Sequence, residues 1–309
     1  MKAKLQMLLA KPEATYGEDS TPTAAANWLA VMNIDVNPVE METVDQATVS
    51  NTFGQDEKIV GAVWSTISFE FPLRGGGTPL GQAGSVPNFD PILRCCGMAR
   101  VLTPGTSIVY SHIDTLDESA TFYYYLDQVM QKIVGVRGSW ELKFDAKKQV
   151  VFAFKGIGLR TPMIDAGLPV PTQPPMPRPM ACNKANTTVT FGALTALLSS
   201  FSVNQNNDVQ YRNLTGREDV SIIDRNTSGS VTIELPTVAQ KNFLGTGGVM
   251  SDALTDSLTI THGNVAGNIC TIAIPKAQMF KPKLGNDQGQ AMLSGELHVV
   301  RNALTLTFT

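Results

Sequence analysis

Short strand-like segments recur in the same order in the two halves of this chain. IDVN at 34–37 is matched by FSVN at 201–204, and TISFEFP at 66–72 is matched by SVTIELP at 230–236. WELKF at 140–144 is then matched by GELHV at 295–299, and Phe154 by Phe308. A glycine-rich stretch at 74–86 lengthens the first copy where the offset drops. This ordered recurrence predicts a tandem duplication of one domain.

The recurring segments alternate apolar and polar residues, which is the period of a half-buried β-strand. Ile67, Phe69 and Phe71 alternate with Ser68 and Glu70. Two alternating runs, 140–144 and 150–154, flank a polar turn at 147–148 and predict an antiparallel hairpin. Helix signals are few: Asp90-Pro91 before a short apolar run, and a capping box at 237–240. The pattern therefore predicts a mainly β protein with one short helix in each half.

A proline cluster marks the clearest boundary along the chain. Seven of the 18 prolines lie between Pro162 and Pro179. Proline fixes φ and has no amide donor, so a helix or a central strand is disfavoured there. We therefore predict a first domain at 1–161, a proline-rich linker at 162–180 and a second, duplicated domain at 181–309.

Composition excludes several classes of function. The chain has 309 residues, a formal net charge of −3 and 17% charged residues, which argues against a general nucleic-acid binder. The four cysteines and three histidines have no metal-ligand spacing. No nucleophile elbow or phosphate-binding loop is present in the sequence. We expect neither an enzyme nor a cofactor, and the absence of a sufficiently long apolar stretch argues against a membrane partner.

Longer stretches of the sequence resemble the major tail tube proteins of long-tailed, non-contractile (siphovirus-type) phages and related prophages. The similarity lies in LLAKPEATYGEDSTPTAAANWLAV, in PILRCCGMARVLTPGTSIVY and in SATFYYYLDQVMQKIVGVRGSWELKFDAKKQVVFAFKGIGL. It continues through TTVTFGALTALLSSFSVNQNNDVQYRNLTGREDVSIIDRNTSGSVTIELP. The glycine-rich insertion and the stretch VSNTFGQDEKIVGAVW depart from the family pattern.

The resemblance implies tandem β-sandwich or barrel domains that join across subunits into one continuous β-barrel tube. Six such domains form a ring, so a duplicated chain implies a trimeric, pseudo-hexameric ring, and rings stack into a filament. The implied partners are further copies of this chain, the tape measure protein and double-stranded DNA in the lumen, and tail terminator and baseplate or distal tail proteins at the ends. The implied location is the virion tail, after assembly in the host bacterial cytoplasm.

A conduit for DNA should not bind phosphates, so neutral or acidic residues are expected on its lumen. The repeat offers Glu70 with Glu234, and Glu141 with Glu296, as candidate lumen-facing residues. The alternative is that these glutamates lie on the outer wall or pair with lysines.

Candidate ring-stacking residues lie in two long loops. They are Asn51, Phe53, Gln55 and Asp56 in the first loop, and Arg74, Gly75, Gly76 and Gly77 in the glycine-rich insertion. Loops of this length are typically functional or disordered, so ordinary surface loops are the alternative.

Two other functions remain open from sequence. One is the inner tube of a contractile injection machine, against which the duplication argues. The other is an adhesive or carbohydrate-binding β module, which should show clustered aromatic residues, whereas Trp28, Trp64 and Trp140 are scattered.

Overall fold

The structure is a computed structural model that describes residues 2–46, 49, 53–77, 86–115, 118–172, 176–243 and 255–309. Strands account for 60% of the residues and helices for 3%, which confirms the mainly β class.

The described residues of the first half form one helix, α1 (Asp90–Cys95), and ten strands. These strands are β1 (Gln6–Pro12), β2 (Trp28–Leu29), β3 (Met32–Asp45), β4 (Lys58–Pro72), β5 (Met98–Thr103), β6 (Ser107–His112), β7 (Ala120–Leu126), β8 (Val129–Asp145), β9 (Val151–Arg160) and β10 (Ile164–Asp165).

In the second half, the part that the structure describes adds ten more strands and a 3₁₀ turn at Val300–Asn302. Its strands are β11 (Thr187–Phe191), β12 (Leu194–Ala196), β13 (Leu198–Asn204), β14 (Asn207–Leu214), β15 (Arg217–Arg225), β16 (Ser228–Glu234), β17 (Thr255–His262), β18 (Cys270–Asp287), β19 (Gln290–Val299) and β20 (Thr305–Phe308).

The same strand order occurs in both halves. Antiparallel pairs run β3-β4-β9-β8-β7-β1 in the first half. They run β13-β16-β19-β18-β17-β11 in the second. Each strand of the first series therefore has a counterpart in the second, although the proposed domain limits at 161 and 181 stay a prediction.

A shared hydrogen bond fixes the residue correspondence. The hydroxyl of Ser65 donates to the carbonyl of Pro38 at 2.9 Å, and that of Thr227 donates to the carbonyl of Gln205 at 3.4 Å. Strand pairing from these points makes 34–37 equivalent to 201–204, as the sequence match predicts.

The other sequence matches are displaced. By the same pairing, 66–72 corresponds to 228–234, two residues from the match predicted by sequence. The segment 140–144 lies in β8, whose counterpart is β18, whereas 295–299 lies in β19. Phe154 in β9 and Phe308 in β20 are likewise not equivalent, so these two matches were wrong.

The two halves are joined by continuous hydrogen-bonded sheet. β13 pairs with β8 from Ser200↔Asp145 to Asn204↔Glu141. β20 pairs with β6 from Thr305↔Ser111 to Phe308↔Ile108. These joints make one 18-stranded sheet, and only the β14–β15 hairpin is separate from it among the described strands.

One large hydrophobic core runs through both halves, and a smaller cluster around Met7 and Tyr123 lies apart from it. Aromatic rings fill its first-half side, where Phe71 stacks on Phe152 with ring centroids 5.0 Å apart and Trp140 meets Phe152 edge-on at 5.5 Å. The core continues into the second half through Phe144 and Phe201, whose ring centroids are 5.9 Å apart. The joint between β8 and β13 is therefore packed as well as hydrogen-bonded.

The expected second helix is a turn in the structure. Gln240 accepts hydrogen bonds from the amide and the hydroxyl of Thr237, at 3.0 and 3.1 Å, so one of the two capping-box contacts forms. The Gln240 amide donates to the Thr237 carbonyl and not to the hydroxyl, so the reciprocal contact is missing. Tertiary contacts then fix the chain: Lys241 contacts Asp256 at 2.6 Å, and buried Phe243 packs on Phe191. In α1, by contrast, five of its six residues are buried.

Candidate functional site: a polar sheet face with two free edges

Eight neighbouring strands form a continuous sheet across both halves, in the order β3-β4-β9-β8-β13-β16-β19-β18. One face of this sheet packs on the core, with Phe69, Leu142, Val203 and Leu297 all buried. The residues between them point to the opposite side because side chains alternate along a strand. We call that opposite side the polar face.

Residues in register show that the polar face is shared by both halves. One row across the strands runs through residues that are successive pairing partners: Glu70, Ala153, Glu141, Asn204, Ser228 and His298. Glu70 and Glu141 both lie opposite Ala153, one on each side. The next row contains Lys143, Ser202, Ser230 and Glu296. All four candidate lumen glutamates therefore lie on one face, including Glu234 at the end of β16.

Carboxylates outnumber lysines at the paired positions of the polar face. The carboxylates include Asp35, Glu70, Glu141, Asp145, Glu234, Asp287 and Glu296, and the lysines include Lys143, Lys155 and Lys283. Between them lie serine, threonine and asparagine side chains, such as Ser202 and Ser230, whose hydroxyls are 2.9 Å apart. The face is therefore polar, mildly acidic and free of a basic cluster at these positions.

Three of the four glutamates, Glu70, Glu141 and Glu296, contact polar or charged side chains next to them. The amide of Asn33 donates to Glu70 at 2.7 Å. Glu141 and Lys143 form an ion pair at 3.0 Å, and Glu296 forms another with Lys281 at 3.0 Å. These pairs are partly exposed, so they orient side chains more than they stabilise the fold.

The predicted equivalence within each glutamate pair was wrong. With the correspondence fixed by strand pairing, Glu70 is the counterpart of Thr232 and not of Glu234. The counterpart of Glu296 is Lys155. Glu234 still shares the face of Glu70 because a two-residue displacement preserves the alternation of a strand.

Both outer edges of the eight-stranded sheet carry unpaired backbone. β3 pairs only with β4 among the described strands. On the other side, residues 279–287 of β18 pair only with β19 in the described part of the chain. Apolar side chains are exposed near these edges: Met41, Val44, Phe280 and Leu284. Unpaired edges of this kind are sites where another chain can add.

The two candidate stacking loops differ in their surroundings. Phe53, Gln55 and Asp56 lie exposed near the tip of the β3–β4 hairpin, whereas Asn51 lies outside the described residues. Arg74 and the three glycines pack inward instead. The Gly75 amide donates to the side chain of Asn268 at 2.7 Å, and the Gly77 amide donates to the Gly267 carbonyl at 3.0 Å. The start of the insertion is thus attached to the second half.

Two buried polar clusters, around Asp90 and around His112, lie away from the polar face. The Asp90 carboxylate accepts from Tyr110 at 2.7 Å and from Arg100 at 2.9 Å. Burial, with Asp90 adjacent, raises the pKa of Tyr110 well above its usual range. Burial, together with the nearby Arg225 guanidinium, lowers the pKa of His112 to about 4. These groups lie in the core and at the contact between the halves, away from the polar face.

The part of the chain that the structure describes contains no candidate metal-binding cluster. No group of three or more histidine, cysteine or acidic side chains is arranged to hold a metal within the described ranges. Across those ranges no helix is both long and apolar enough to span a bilayer.

Sequence reasoning missed the joint between β8 and β13. The alternation in 140–144 and 201–204 identified both strands, but it contains no signal that they pair with each other. Their matching aromatics, Phe144 and Phe201, are the only hint at that position.

Comparison with known families gives one result. A family model described as phage tail tube protein matches residues 4–309, which is nearly the whole chain. No curated protein matches the chain.

Proposed function

Because the chain belongs to the phage tail tube protein family, we propose that three copies form a pseudo-hexameric ring whose stacking builds the tube. The family is a structural one, and its members are components of the phage tail, so the chain is a virion protein that assembles with itself. The number of chains in a ring, the lumen and the passage of DNA are the parts that we propose.

The observation that carries the proposal is the eight-stranded sheet with two free edges. Each half supplies four of its strands in the same order, and the halves are already joined edge to edge. Adding the next chain in the same way leaves each half between two neighbours. Closure after three chains removes every free edge of this sheet and produces a barrel.

The polar face becomes the lumen in this arrangement, because the core covers the other side of the sheet. Its hydroxyl-rich, mildly acidic character suits a channel through which double-stranded DNA and a tape measure protein pass. Phosphates would find no basic surface on which to gain affinity by counterion release. Glu70, Glu141, Glu234 and Glu296 are then lumen residues.

Stacking of rings uses the loops at the ends of the sheet. The exposed tip of the β3–β4 hairpin, with Phe53, Gln55 and Asp56, is one contact that we propose with the next ring. The glycine-rich insertion that begins at Arg74 is the other. A head-to-tail contact of this type generates an open filament, which terminator and distal tail proteins limit at its ends. We place assembly in the cytoplasm of the bacterial host.

Electron microscopy of concentrated purified protein and of particles that contain it tests the proposal. We expect stacked rings with a central pore, threefold symmetry and a sixfold-like appearance. Rings of six whole chains would contradict the trimer, and a sheath around the tube would favour a contractile machine. Compact monomers under all conditions, with no tube in the particles, would overturn the proposal as a whole.

The lumen assignment has its own test. The double variant Glu70→Lys with Glu141→Lys places two lysines in one row of the polar face. Assembled tubes of this variant should retain linear double-stranded DNA more strongly at about 50 mM than at about 200 mM salt. Glu18→Lys, exposed and outside the eight-stranded sheet, is the control. Equal DNA retention by the two variants would place the polar face outside the lumen.

A further inference from the structure

The joint between the two halves is a template for the contact between two chains. This inference rests on the proposed self-assembly and specifies which residues of the two chains pair. The strand β13 of the second half adds to β8 of the first, with Asn204↔Glu141, Val203↔Leu142 and Ser202↔Lys143. β3 is the first-half counterpart of β13, and β18 is the second-half counterpart of β8. Those counterparts are the two free edges.

Residue equivalences convert this template into a register. On one side, Asn204, Val203 and Ser202 correspond to Asn37, Val36 and Asp35, because each set pairs with equivalent residues of β16 and β4.

On the other side, pairing with β9 and β19 makes Glu141 equivalent to Lys283 and Leu142 equivalent to Leu284. The same relation makes Lys143 equivalent to Gly285.

We propose that β3 of one chain pairs antiparallel with β18 of a second copy of this chain, in the register Asn37↔Lys283, Val36↔Leu284 and Asp35↔Gly285. This pairing keeps Asn37 and Lys283 on the polar face. It places Val36 and Leu284 on the core side. Lys283 also lies diagonal to Asp35, which gives the contact a pair of opposite charges.

Exposure of the apolar side chains fits this contact. Leu142 in the internal joint is fully buried, whereas its counterpart Leu284 is 57% exposed. Val36 is only partly buried and packs at the margin of the core. Phe280, also exposed, is the counterpart of Ser139, which in the internal joint accepts a hydrogen bond from the amide of Asn207. The second copy would cover Leu284 and Phe280 as the second half covers β8.

The equivalence of the two halves extends to the β14–β15 hairpin and the outer part of the β3–β4 hairpin. The β14–β15 hairpin lies against the first half, where Tyr211 packs on Trp64 with ring centroids 5.0 Å apart and Asn207 donates to the Gly138 carbonyl at 2.8 Å. Its counterpart is the outer part of the β3–β4 hairpin. Exposed apolar side chains follow that part: Val39, Met41, Val44, Ile59 and Val60. By the template, this hairpin lies against β18 and β19 of the neighbouring chain, so its stem belongs to the contact within a ring.

Engineered disulfides test the register. The paired variant Asn37→Cys with Lys283→Cys should form chain-to-chain disulfides in assembled protein, because facing Cα atoms in an antiparallel pair are about 4.5–5.5 Å apart. Within one chain the two positions lie on opposite edges of eight strands, roughly 34 Å apart along the sheet. The native cysteines are all buried. Non-reducing gels should show dimers and closed trimers, which reduction returns to single chains.

Two further variants make the result decisive. Glu141→Cys with Asn204→Cys is the matched positive control, since these residues face each other within one chain. Asn37→Cys with Gly285→Cys tests a register shifted by two residues, and its diagonal separation of about 7–8 Å should prevent efficient bonding. Each sample is also viewed by electron microscopy.

Tubes that lack the Asn37–Lys283 bond, or that cross-link better in the shifted pair, would overturn the register while leaving the proposed function intact. Absence of rings and tubes in the unmodified protein would count against the proposed function itself.

Discussion

Replacement of Arg225 should lower the stability of the fold by removing a buried contact between the two halves. This arginine lies at the end of β15 in the second half, with its side chain only 7% exposed. Its guanidinium donates to the side chain of Asn207 at 2.8 Å and to the Gly97 carbonyl of the first half at 3.2 Å. It also lies 3.5 Å from the carbonyl of Ile113. A single cation therefore holds the β14–β15 hairpin against the turn after α1.

Arg225→Met keeps most of the aliphatic stem but removes the donors. Hydrogen bonds from a charged donor contribute about 1.5–3 kcal/mol each, and buried acceptors left without a donor cost about 1–3 kcal/mol. Loss of the desolvated charge offsets part of this, so we expect a decrease of about 2–4 kcal/mol in the free energy of unfolding.

Urea denaturation followed by tryptophan fluorescence provides the measurement, with Arg212→Met as the control. Arg212 is exposed on the neighbouring strand β14, so its replacement should change stability by less than about 0.5 kcal/mol. If Arg225→Met does not fold, Arg225→Lys keeps the positive charge but lacks the forked guanidinium donors, and it should give a smaller loss of the same sign. Equal urea midpoints for the Arg225 and Arg212 variants would refute the role of this contact.

Three more predictions follow from buried groups and close approaches. The pKa of His112 in the folded protein is about 4, below its ordinary value near 6.5, so the unfolded chain binds the proton more readily. Stability should therefore be full above pH 6.5 and fall by about 3 kcal/mol as the pH decreases to 4, and His112→Asn should flatten this slope in thermal melts while exposed His298→Asn keeps it. Gly75→Ala should destabilise by about 1–3 kcal/mol, because a Cβ atom there would lie 1.9 Å from the Gly267 carbonyl oxygen. Gly167→Ala, with nothing within 4 Å, should be neutral in the same denaturation assay. Phe152→Ala should lower the free energy of unfolding by about 3–5 kcal/mol, since this fully buried ring contacts Phe71, Phe89 and Trp140, and a loss below about 1 kcal/mol would contradict the packing described for the core.

Local patterns in the sequence predicted the positions of strands better than they predicted which strands pair with each other. The expected β8–β9 hairpin is confirmed, and it pairs Trp140 with Phe154 and Leu142 with Phe152. A polar turn between two alternating runs specifies such a pair because the contact is local. The pairing of β8 with β13 joins residues far apart in the chain, and alternation alone does not select it among many similar strands.

The two-residue displacement of one repeat match also arises because alternation alone does not fix the register. TISFEFP and SVTIELP are true counterparts as strands, but the sequence match differs from the structural one by two residues. A shift of two leaves every side chain on its original face, so the burial pattern cannot distinguish the alternatives. The hydrogen bonds from Ser65 and Thr227 do distinguish them, because each joins a fully buried hydroxyl to the carbonyl of the residue that follows 34–37 or 201–204.

Irregularities in the two free edges limit how they can pair. In β3 the register shifts on both sides of residues 35–37, between Met32 and Asp35 and between Asn37 and Glu40, and Pro38 within the second shift has no amide to donate. In β18 the register shifts between Phe280 and Lys283, so regular backbone resumes only at Lys283. Bulges and proline at an edge discourage pairing with arbitrary strands. The regular windows, 35–37 and 283–287, match in the proposed register, and a slip by two residues would bring the bulge of one strand or Pro38 of the other into the ladder. The same features that keep the single chain from aggregating through its edges therefore favour one neighbour in one register.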